Sequence, residues 1–475
     1  MMIGIKPLLQ LFTVMIITSS AFAENDKNPF IDETAPLVAF TNARVIDGTG
    51  APAKENHTVV IKDGRIVSIG RDGEVKIPQK AKRISLQGKS LLPGWVMHHE
   101  HLYYLNNTRS SDPLVLTQQS FNFPRLYLSA GLTSARTAGS IEPYTDLRIR
   151  ERIEAGLLPG PTLDLTAPYL EGNSDSRFFQ LHGLNSADEA RDMVRYWASR
   201  GFTSFKAYNH ISREYLAVAI DEVHKLGLKI TGHLCSVTFK EAADLGIDQL
   251  EHGFFSSTDF DKDKKPDSCG HSLKPLPNPE EPEAKELIRY LVEKEVVLTS
   301  TIAIFARQAN MMSEVPSEFV ALLQPEGRAR YQQVIAQKNE SEYAQSLRSR
   351  VESDMKLQAA FWRAGGQLVV GTDPTGVVTL PGYGSLMSIE LLADAGIPPL
   401  EVIKIATQNG AQAMGVLDDR GTIALGKRAD LLVIKGDPSV DIKAIHKIET
   451  VFKNGIGYNP EALRKSAIGT VGGPG

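Results

Sequence analysis

The middle of the chain, from about residue 91 to residue 415, alternates short apolar segments with helical ones, and this alternation constrains the fold most. Eight segments have the character of strands: LLPGWVMHHEHL, TSARTAG, TLDLTAPYL, TSFKAY, KITGHL, DQLEHG, VVLTSTI and QLVVGTD. Eight strands separated by helices are typical of a (β/α)8 barrel. We therefore predict an α/β protein with a (β/α)8 barrel over residues 91–415.

The segments on either side of the barrel alternate apolar and polar residues around tight turns. VVIKDGRIVSIG contains Asp63-Gly64 and ETVFKNGIGY contains Asn454-Gly455, both strong signals for two-residue hairpin turns. Two β-rich segments that bracket a long middle favour one domain built from both ends of the chain. We predict that residues 24–90 and 416–475 together form a small β-sandwich domain.

The first 23 residues have the pattern of an export signal. Lys6 precedes an apolar run from Leu8 to Ile17, and Ala21-Phe22-Ala23 supplies a small-residue cleavage pattern. The run is shorter than the roughly 20 apolar residues that span a bilayer. We predict that residues 1–23 are a signal peptide and that the mature protein is periplasmic or secreted, with no membrane attachment after cleavage.

Composition excludes several other classes of protein. Apolar residues make up 42% of the 475-residue chain and charged residues 23%, which is ordinary globular usage. The formal net charge of −4 and the lack of a long Lys/Arg run exclude a nucleic-acid partner. Two cysteines are too few for a disulfide framework. We expect a small-molecule substrate; the oligomeric state stays open.

Metal-ligating residue types recur at the ends of the predicted strands, where barrel active sites form. They are His99 and His101 on strand one, Lys206 on strand four, His233 on strand five, His252 on strand six and Asp373 on strand eight. Side chains alternate along a strand, so His99 and His101 share one face and His98 points to the other. Four of the 11 histidines therefore lie at strand ends, which predicts a metal centre.

The motifs PGWVMHHEHL, FKAY, TGHL, LEHG and VGTDPTG together resemble the metal-dependent amidohydrolase superfamily. ATQNGAQAMG and RGTIALGKRADLLVIKGD resemble its closing helix and returning β segment, so the resemblance covers nearly the whole mature chain. It is nearest to imidazolonepropionase-like and Xaa-Pro dipeptidase-like members that carry a lysine on strand four. Two departures concern the subfamily: Met97 stands where members often have Asp, and Thr137 follows Arg136 where they often have Asp.

The resemblance implies two divalent metal ions, usually zinc. It assigns His99, His101 and Asp373 to one ion, His233 and His252 to the other, and Lys206, carboxylated by carbon dioxide to a carbamate, to both as a bridge. An unmodified lysine ammonium would repel both ions, whereas a carbamate is a negative bridge. Two ions that share one hydroxide lower its pKa toward neutrality. Asp373 is the predicted catalytic residue, accepting a proton from the nucleophile and passing it to the leaving group.

Further residues near the strand ends are weaker candidates. The predicted substrate contacts are Tyr103, Arg136, His182 and Tyr208. Tyr208 follows Lys206 by two residues and should share its face. Cys235 and Cys269 could form a disulfide in an exported protein, which would hold a loop beside the site.

These observations predict an exported hydrolase that cleaves an amide or peptide bond with a metal-bridging hydroxide. A dipeptide or an N-acyl amino acid is the expected type of substrate. A lactonase or other ester hydrolase with the same binuclear site is the first alternative, and a non-catalytic binding protein on a decayed barrel is the second. A deaminase is disfavoured, because that branch of the superfamily places a glutamate shortly after the strand-five histidine, whereas Leu-Cys-Ser-Val follows His233.

Overall fold

The computed structural model describes residues 28–106, 115–172, 178, 180–270, 275–311, 314–336, 341–377 and 379–473. The predicted signal peptide, residues 1–23, lies outside the described residues. Within the described ranges, no helix combines the length and the apolar character needed to cross a membrane.

Eight strands form the central barrel, one from each segment predicted. In chain order they are Trp95–Glu100, Leu132–Thr137, Thr162–Asp164, Ser204–Ala207, Lys229–Gly232, Gln249–Leu250, Val297–Ser300 and Leu368–Val370. Strands one to three pair in parallel as one arc and strands four to eight as another. The arcs meet where Thr166 pairs with Ser204 and where the Thr372 amide donates to the His99 carbonyl at 3.0 Å. The predicted (β/α)8 barrel is confirmed.

Helices surround this barrel and bury their apolar faces against it. The α-helices are Asn122–Ser129, Pro143–Glu154, Ala187–Ser199, Arg213–Lys225, Phe239–Asp244, Pro282–Glu293, Ile302–Gln308, Ser317–Val320, Pro325–Ala336, Glu342–Arg363, Tyr383–Asp394, Pro399–Lys404, Gly410–Ala413 and Pro460–Lys465, with a π-helical turn at Ile405–Asn409 and a 3-10 turn at Ile442–His446. The helix after strand four shows why they form: the Ser212 side chain caps it by accepting from the Tyr215 amide, and Leu216, Ile220 and Val223 are buried on one face.

The two ends of the chain build one nine-stranded sheet. Its strands are Ile31–Glu33, Leu37–Val45, Lys54–Lys62, Arg65–Arg71, Lys82–Ser85, Lys89–Pro93, Leu431–Lys435, Ile448–Lys453 and Ile456–Tyr458. Both predicted hairpin turns join neighbouring strands, and Asp63 and Asn454 have φ angles of 47° and 53°, as such turns require. The sheet has its own apolar core, in which the rings of Phe40 and Phe452 meet at 5.0 Å. The predicted β domain of N- and C-terminal segments is confirmed.

The strand Lys89–Pro93 belongs to this terminal sheet, where it pairs with Leu431–Lys435. The predicted domain boundary at residue 90 therefore falls inside a strand. Only Gly94 separates this strand from the first barrel strand, and a Cβ atom there would lie 2.2 Å from the Thr133 side chain. A glycine is needed because the chain passes from the sheet into the barrel at such close contact.

The end of the chain leaves the sheet and returns to the barrel. The helix Pro460–Lys465 packs against the barrel helix Asn122–Ser129. The Gly469 amide then donates to the Ala321 carbonyl at 2.9 Å. The predicted domain 416–475 is therefore corrected at its end: residues after 459 lie against the barrel, because the sheet finishes at the strand Ile456–Tyr458.

Two short strand pairs lie beyond the carboxyl ends of the barrel strands. Tyr103–Asn106 pairs with Val115–Gln118 in antiparallel fashion, and Glu171–Gly172 pairs with Gly183–Leu184 in parallel. The first pair supplies Tyr103, Leu105 and Leu116 to the wall of a pocket. This pocket contains the candidate site.

Candidate metal centre

The candidate metal centre lies in a small cavity of about 110 Å³ at the carboxyl ends of the barrel strands. Its walls are His99, His101, Tyr103, Leu105, Leu116, Tyr169, Phe178, Leu181, Lys206, Tyr208, His233, Asp373 and Thr375. Five of the six predicted metal ligands are among them. The sixth, His252, lies behind this wall, with its ring centre 4.1 Å from that of His233 and 4.6 Å from that of His99.

His99 is oriented by a buried carboxylate. Its Nδ1 lies 2.7 Å from Oε2 of Glu251, and both side chains are fully buried. Burial raises the pKa of Glu251, but the charges of Arg136 and Lys206 outweigh it and hold that pKa below its ordinary value. The ionised carboxylate therefore accepts the Nδ1 proton, so the Nε2 lone pair faces the cavity, as in metal-binding histidines.

His101 and Asp373 meet beside that nitrogen. His101 Nε2 lies 3.1 Å from Asp373 Oδ1, and His99 Nε2 lies 3.9 Å from the same oxygen. Ligand atoms of these three residues all lie within 4.8 Å of one another, so the cluster could hold a metal ion. Burial raises the pKa of Asp373, but the hydrogen bond with His101 and the charges of His99, His101 and Lys206 together outweigh burial and hold the pKa well below the usual range. Asp373 is therefore ionised and able to accept a proton.

The backbone at Asp373 fixes this geometry. Its φ angle of 53° is left-handed, and its amide donates to the His99 carbonyl at 2.9 Å. An aspartate tolerates this conformation better than most residues. The turn that closes the barrel between strands eight and one therefore also aims the carboxylate at the two histidines.

Lys206 is buried at the centre of the site, with 1% of its surface exposed. Its Nζ lies 3.5 Å from His99 Nε2 and over the rings of Tyr169 and Tyr208, at 5.4 and 5.6 Å from their centres. Burial lowers the pKa of Lys206 to about 8, against the opposing charges of Glu251 and Asp373. A substantial share of the amine is therefore neutral near pH 8, which is the reactive form of lysine.

His233 and His252 supply the other side of the cluster. Nδ1 of His252 is hydrogen-bonded to Oγ1 of Thr301 at 2.8 Å, while its Nε2 is buried without a hydrogen-bond partner among the described residues. Burial lowers the pKa of both imidazoles well below the ordinary value. They are therefore neutral, which is the form that binds metal. A buried imidazole nitrogen without a partner fits a metal ligand.

A family comparison agrees with this donor set. The model of the family described as "Amidohydrolase family" matches residues 91–456, which include the barrel and the returning β segment. The chain belongs to the amidohydrolase family. The predicted superfamily and the predicted class of enzyme, a hydrolase, are thereby confirmed.

Solved structures and a curated relative resemble this amidohydrolase. A Xaa-Pro dipeptidase with bound methionine has a TM-score of 0.66 at 18% identity, covering 89% of this chain and 100% of the other. Phenylurea hydrolase B has a TM-score of 0.66 at 20% identity, covering 90% and 98%. The imidazolonepropionase of Micrococcus luteus is 29% identical over 136 residues, which span 28% of this chain and 29% of the relative. Such low identities in the solved structures show the fold alone.

Two of the predicted substrate contacts of this amidohydrolase line the cavity. The hydroxyl of Tyr103 lies 3.4 Å from His101 Nε2 and shares a hydrogen bond with the hydroxyl of Tyr169. Tyr208 packs its ring 5.0 Å from that of His233. Burial raises the pKa of Tyr208 well above its ordinary value, so its hydroxyl stays protonated and can donate.

The other two predicted contacts are corrected, because neither lines this cavity. Arg136 lies below the metal site with its Nη2 3.7 Å from Glu251 Oε1, and it lines a different cavity. His182 is hydrogen-bonded to Glu189 at 2.6 Å, and its side chain is 58% exposed. It pairs with a helix start on the surface instead of reaching the pocket.

Sequence reasoning missed two residues of the site. Glu251 directly precedes His252 in the LEHG motif, and its position two residues after Gln249 placed both on one face. Tyr169 is the only hydroxyl-bearing aromatic residue of the third predicted strand, TLDLTAPYL. Both signals were present, but the role of each depends on partners that are distant in sequence.

The predicted cysteine pair lies next to the site. Cys235 and Cys269 form a disulfide in the structure, with their Cα atoms 4.7 Å apart. The bond ties the segment after strand six to the end of strand five, two residues beyond His233.

Proposed function

We propose that this amidohydrolase is an exported, metal-dependent enzyme that cleaves an amide or peptide bond of a small substrate, such as a dipeptide or an N-acyl amino acid. One observation carries the proposal: four imidazoles, an ionised carboxylate and a buried lysine converge around one small cavity at the carboxyl ends of the strands. Imidazole and carboxylate donors suit zinc among other divalent ions. Divalent ions at this position would acidify bound water and polarise a carbonyl.

The donor geometry supports two ion positions. His99, His101 and Asp373 would hold one ion, because their ligand atoms lie within 4.8 Å of one another. The adjacent pair His233 and His252 would hold the other, with the free Nε2 of His252 as a donor. Lys206 would bridge them as a carbamate, because its amine contacts His99 and is neutral enough to react with carbon dioxide near pH 8.

The residues of the chain can carry the proton transfers. Asp373 is ionised and accepts a proton from the attacking water, then returns it to the nitrogen of the leaving amine. The protonated hydroxyls of Tyr103, Tyr169 and Tyr208 lie along the same wall and can donate to substrate oxygen atoms. These donors position the scissile group against the metal ligands.

The cavity favours a small substrate with an apolar side chain. Its remaining wall is apolar, formed by Leu105, Leu116, Phe178 and Leu181. The dipeptidase and phenylurea hydrolase with the same fold act, by their names, on substrates joined through carbon–nitrogen bonds, which supports an amide over an ester.

The disulfide supports export. Disulfides persist in oxidising compartments and are rare in the cytosol. The bond between Cys235 and Cys269, together with the signal-like pattern of residues 1–23, favours a periplasmic or secreted location.

A hydrolysis screen tests the proposed activity. The zinc-supplemented protein should hydrolyse members of a dipeptide or N-acyl amino acid library and be slower on lactones, and Asp373→Asn should lose this activity by orders of magnitude. Asp188→Asn is the matched control, because its carboxylate is 84% exposed on a helix surface. Hydrolysis of lactones alone would move the enzyme to the ester class, and equal activity in Asp373→Asn would reject the site.

A further inference from the structure

Three side chains of metal-ligating type meet outside the catalytic cavity, at the disulfide. His210, Cys235 and Cys269 each offer one ligand atom, and these atoms all lie within 4.8 Å of one another. All three residues are half-buried, so part of each is exposed to solvent. None of them belongs to the predicted metal centre or lines its cavity.

The three residues come from three neighbouring loops. His210 follows strand four, Cys235 follows strand five, and Cys269 lies in the long loop after strand six. The Asn209 carbonyl accepts hydrogen bonds from the Cys235 and Ser236 amides at 3.4 and 2.9 Å, which joins the first two loops. The same oxygen lies 3.3 Å from the Cys235 sulfur and 3.7 Å from the Cys269 sulfur. Backbone hydrogen bonds therefore hold His210 near Cys235 whether or not the disulfide is closed.

Other contacts hold the Cys269 segment in place without the bond. The Asp267 carboxylate accepts hydrogen bonds from the Arg213 amide at 2.8 Å and from its guanidinium at 3.2 Å, at the start of the helix after strand four. Lys264 Nζ donates to the Ser236 carbonyl at 2.6 Å, in the loop after strand five. When the disulfide opens, two thiols and an imidazole therefore remain close together.

Glu171 orients the histidine of this cluster. Its Oε1 accepts from the His210 amide at 2.8 Å, and its Oε2 lies 3.5 Å from His210 Nδ1. Glu171 is itself 1% exposed, so its position is fixed by the surrounding protein. Carboxyl groups in such contact with a ring nitrogen orient the imidazoles of metal-binding histidines.

We propose that reduction of the disulfide turns this cluster into a metal site separate from the catalytic one, in which Cys235, Cys269 and His210 bind one zinc ion. A dithiol supplies the two electrons: one of its sulfurs attacks a cysteine sulfur, the disulfide bond breaks, and its second sulfur displaces the mixed disulfide. The reductant leaves as a disulfide, and its two protons pass to the cysteines. Zinc then displaces both protons and forms three bonds, to the two thiolates and to the imidazole nitrogen.

The donor set selects a soft or borderline-soft ion. Thiolate ligands favour zinc over magnesium and calcium, which prefer oxygen ligands. With Zn–S bonds of about 2.3 Å in a tetrahedron, the sulfurs lie about 3.8 Å apart, so the ion binds only after the S–S bond has opened. The disulfide and the zinc ion therefore exclude each other. Two sulfurs and one nitrogen fill three of the four tetrahedral positions, and water takes the fourth.

Two of the loops connect this site with the catalytic cavity. Tyr208 and His233 line that cavity and lie two residues before His210 and Cys235. A zinc ion would rejoin the loops that reduction has released, so the cavity wall would be held in both redox states. This consequence for catalysis rests on the proposed function, whereas the zinc binding does not.

Cobalt(II) titration of the full chain without oxygen tests the site, because cobalt replaces zinc and reports its ligands by absorption. The chain has only two cysteines, so a near-ultraviolet band from thiolate-to-cobalt charge transfer can come from this site alone. A phosphine opens the disulfide: it takes the oxygen of a water molecule to become the phosphine oxide, and the two water protons pass to the cysteines. The reduced protein should show the band at one cobalt ion per chain and lose it in excess zinc, whereas the oxidised protein should show no band.

Variants distinguish a preformed site from a loose pair of thiols. In the reduced state, His210→Asn should bind the band-producing cobalt at least ten-fold more weakly. His182→Asn is the matched control, because His182 is a surface histidine that also contacts a glutamate, and it should bind cobalt normally. The double variant Cys235→Ser/Cys269→Ser should give no band. Asp373→Asn should keep the band, so the outcome is independent of the catalytic centre and of the hydrolysis screen.

Several results would overturn the proposal. They are the absence of the band in the reduced protein, an equal cobalt affinity in His210→Asn, and a band that survives in the double serine variant. Circular dichroism measured during the titration shows whether the reduced chain stays folded. Unfolding on reduction would also overturn the proposal, because it would show that the remaining contacts do not hold the three ligands together.

Discussion

Lys206 is the residue on which the proposed two-ion centre depends most directly. We expect Lys206→Ala to lower metal content below two ions per chain and to reduce turnover by orders of magnitude, because a negative bridge between two cations is lost. Acetate or propionate can enter the vacated space and should restore part of the activity in a concentration-dependent way. Elemental analysis and turnover, with and without added carboxylate, measure both effects.

The controls for Lys206 are a matched lysine and the unmodified enzyme. Lys225→Ala alters an exposed helix lysine paired with Asp221 and should change neither metal content nor turnover. Two bound ions with near-normal turnover in Lys206→Ala would show that Lys206 does not bridge. Partial rescue by carboxylates would be strong support for a carbamate.

Glu251 should matter for metal affinity although it is no ligand itself. Glu251→Gln removes the negative charge of the side chain that accepts a 2.7 Å hydrogen bond from His99 Nδ1. The imidazole is then held less firmly in its orientation, and its basicity falls. Loss of such an outer carboxylate typically weakens metal binding about 10–100-fold. Zinc titration against a competing chelator measures this change. Glu189→Gln, which loses a similar contact to the exposed His182, should bind zinc normally; equal affinities in all three proteins would contradict the role of Glu251.

The residue types at strand ends could be predicted from the sequence, and their partners could not. Strand alternation correctly separated His98, whose Nε2 contacts the Gly410 carbonyl at 2.7 Å, from His99 and His101. It could not show that the long side chain of Arg136 extends toward the amino-terminal end of the barrel, since alternation defines a face and not a direction along the axis. Partners distant in sequence decide that direction.

At the scale of elements, all eight barrel strands could be predicted because their apolar segments are separated by helices with clear ends. The boundary between sheet and barrel could not. Residues 91–97 form one run without polar side chains across the end of Lys89–Pro93 and the start of Trp95–Glu100, and only pairing with Leu431–Lys435 assigns the first strand to the terminal sheet. Such a pairing spans more than 300 residues and leaves no local signal.

The disulfide should stabilise the segment between strands five and six and the loop that follows. The cysteines are 34 residues apart, and closing a loop of that length is worth about 3–4 kcal/mol in the chain-entropy account. We expect the double variant Cys235→Ser/Cys269→Ser to have a lower melting temperature than the unmodified protein. A reducing agent should lower the melting temperature of the unmodified protein by a similar amount. The double variant should not respond to the reducing agent. An unchanged melting temperature in both experiments would show that the bond contributes nothing.

At the scale of the whole molecule, export predicts a defined mature chain. The small-residue pattern that ends at Ala23 should direct cleavage, so that the mature protein begins at Glu24. Intact mass of protein purified from its native host measures this directly. Changing Ala21 and Ala23 to bulky residues should leave the precursor uncleaved, while the same change at Ala35 and Ala39 should not. Retention of residues 1–23 would reject the signal peptide.

The folded molecule buries three carboxyls whose pKa values burial raises to neutral pH or above, so that each keeps a large share of its proton near pH 7. Burial raises the pKa of Glu100 to about 8 and those of Asp146 and Asp354 to about 7. Hydrogen bonds from neutral or backbone donors, such as that from Thr372 to Glu100 at 2.7 Å, do not offset this desolvation. Each of these pKa values lies above that of the unfolded chain, so each group binds its proton more tightly when folded.

The stability of the metal-free molecule should therefore depend on pH in a defined direction. Because the folded pKa is the higher one, the stabilisation from Glu100 is complete below about pH 4.5 and is lost as the pH rises through about 8. Each pH unit over which only the folded chain holds that proton is worth about 1.4 kcal/mol, so this contribution should fall by about 1–2 kcal/mol between pH 6.5 and 8.

Glu100→Gln keeps an acceptor for Thr372 and has no proton to lose. Urea unfolding in a chelator should thus show a smaller loss of unfolding free energy over this interval in Glu100→Gln than in the unmodified protein. The single variant Asp354→Asn should likewise show a smaller loss of unfolding free energy than the unmodified protein, because the folded pKa of Asp354 is about 7. Identical losses in all three proteins would show that these carboxyls are already ionised in the folded molecule, with a polar environment that compensates for their burial.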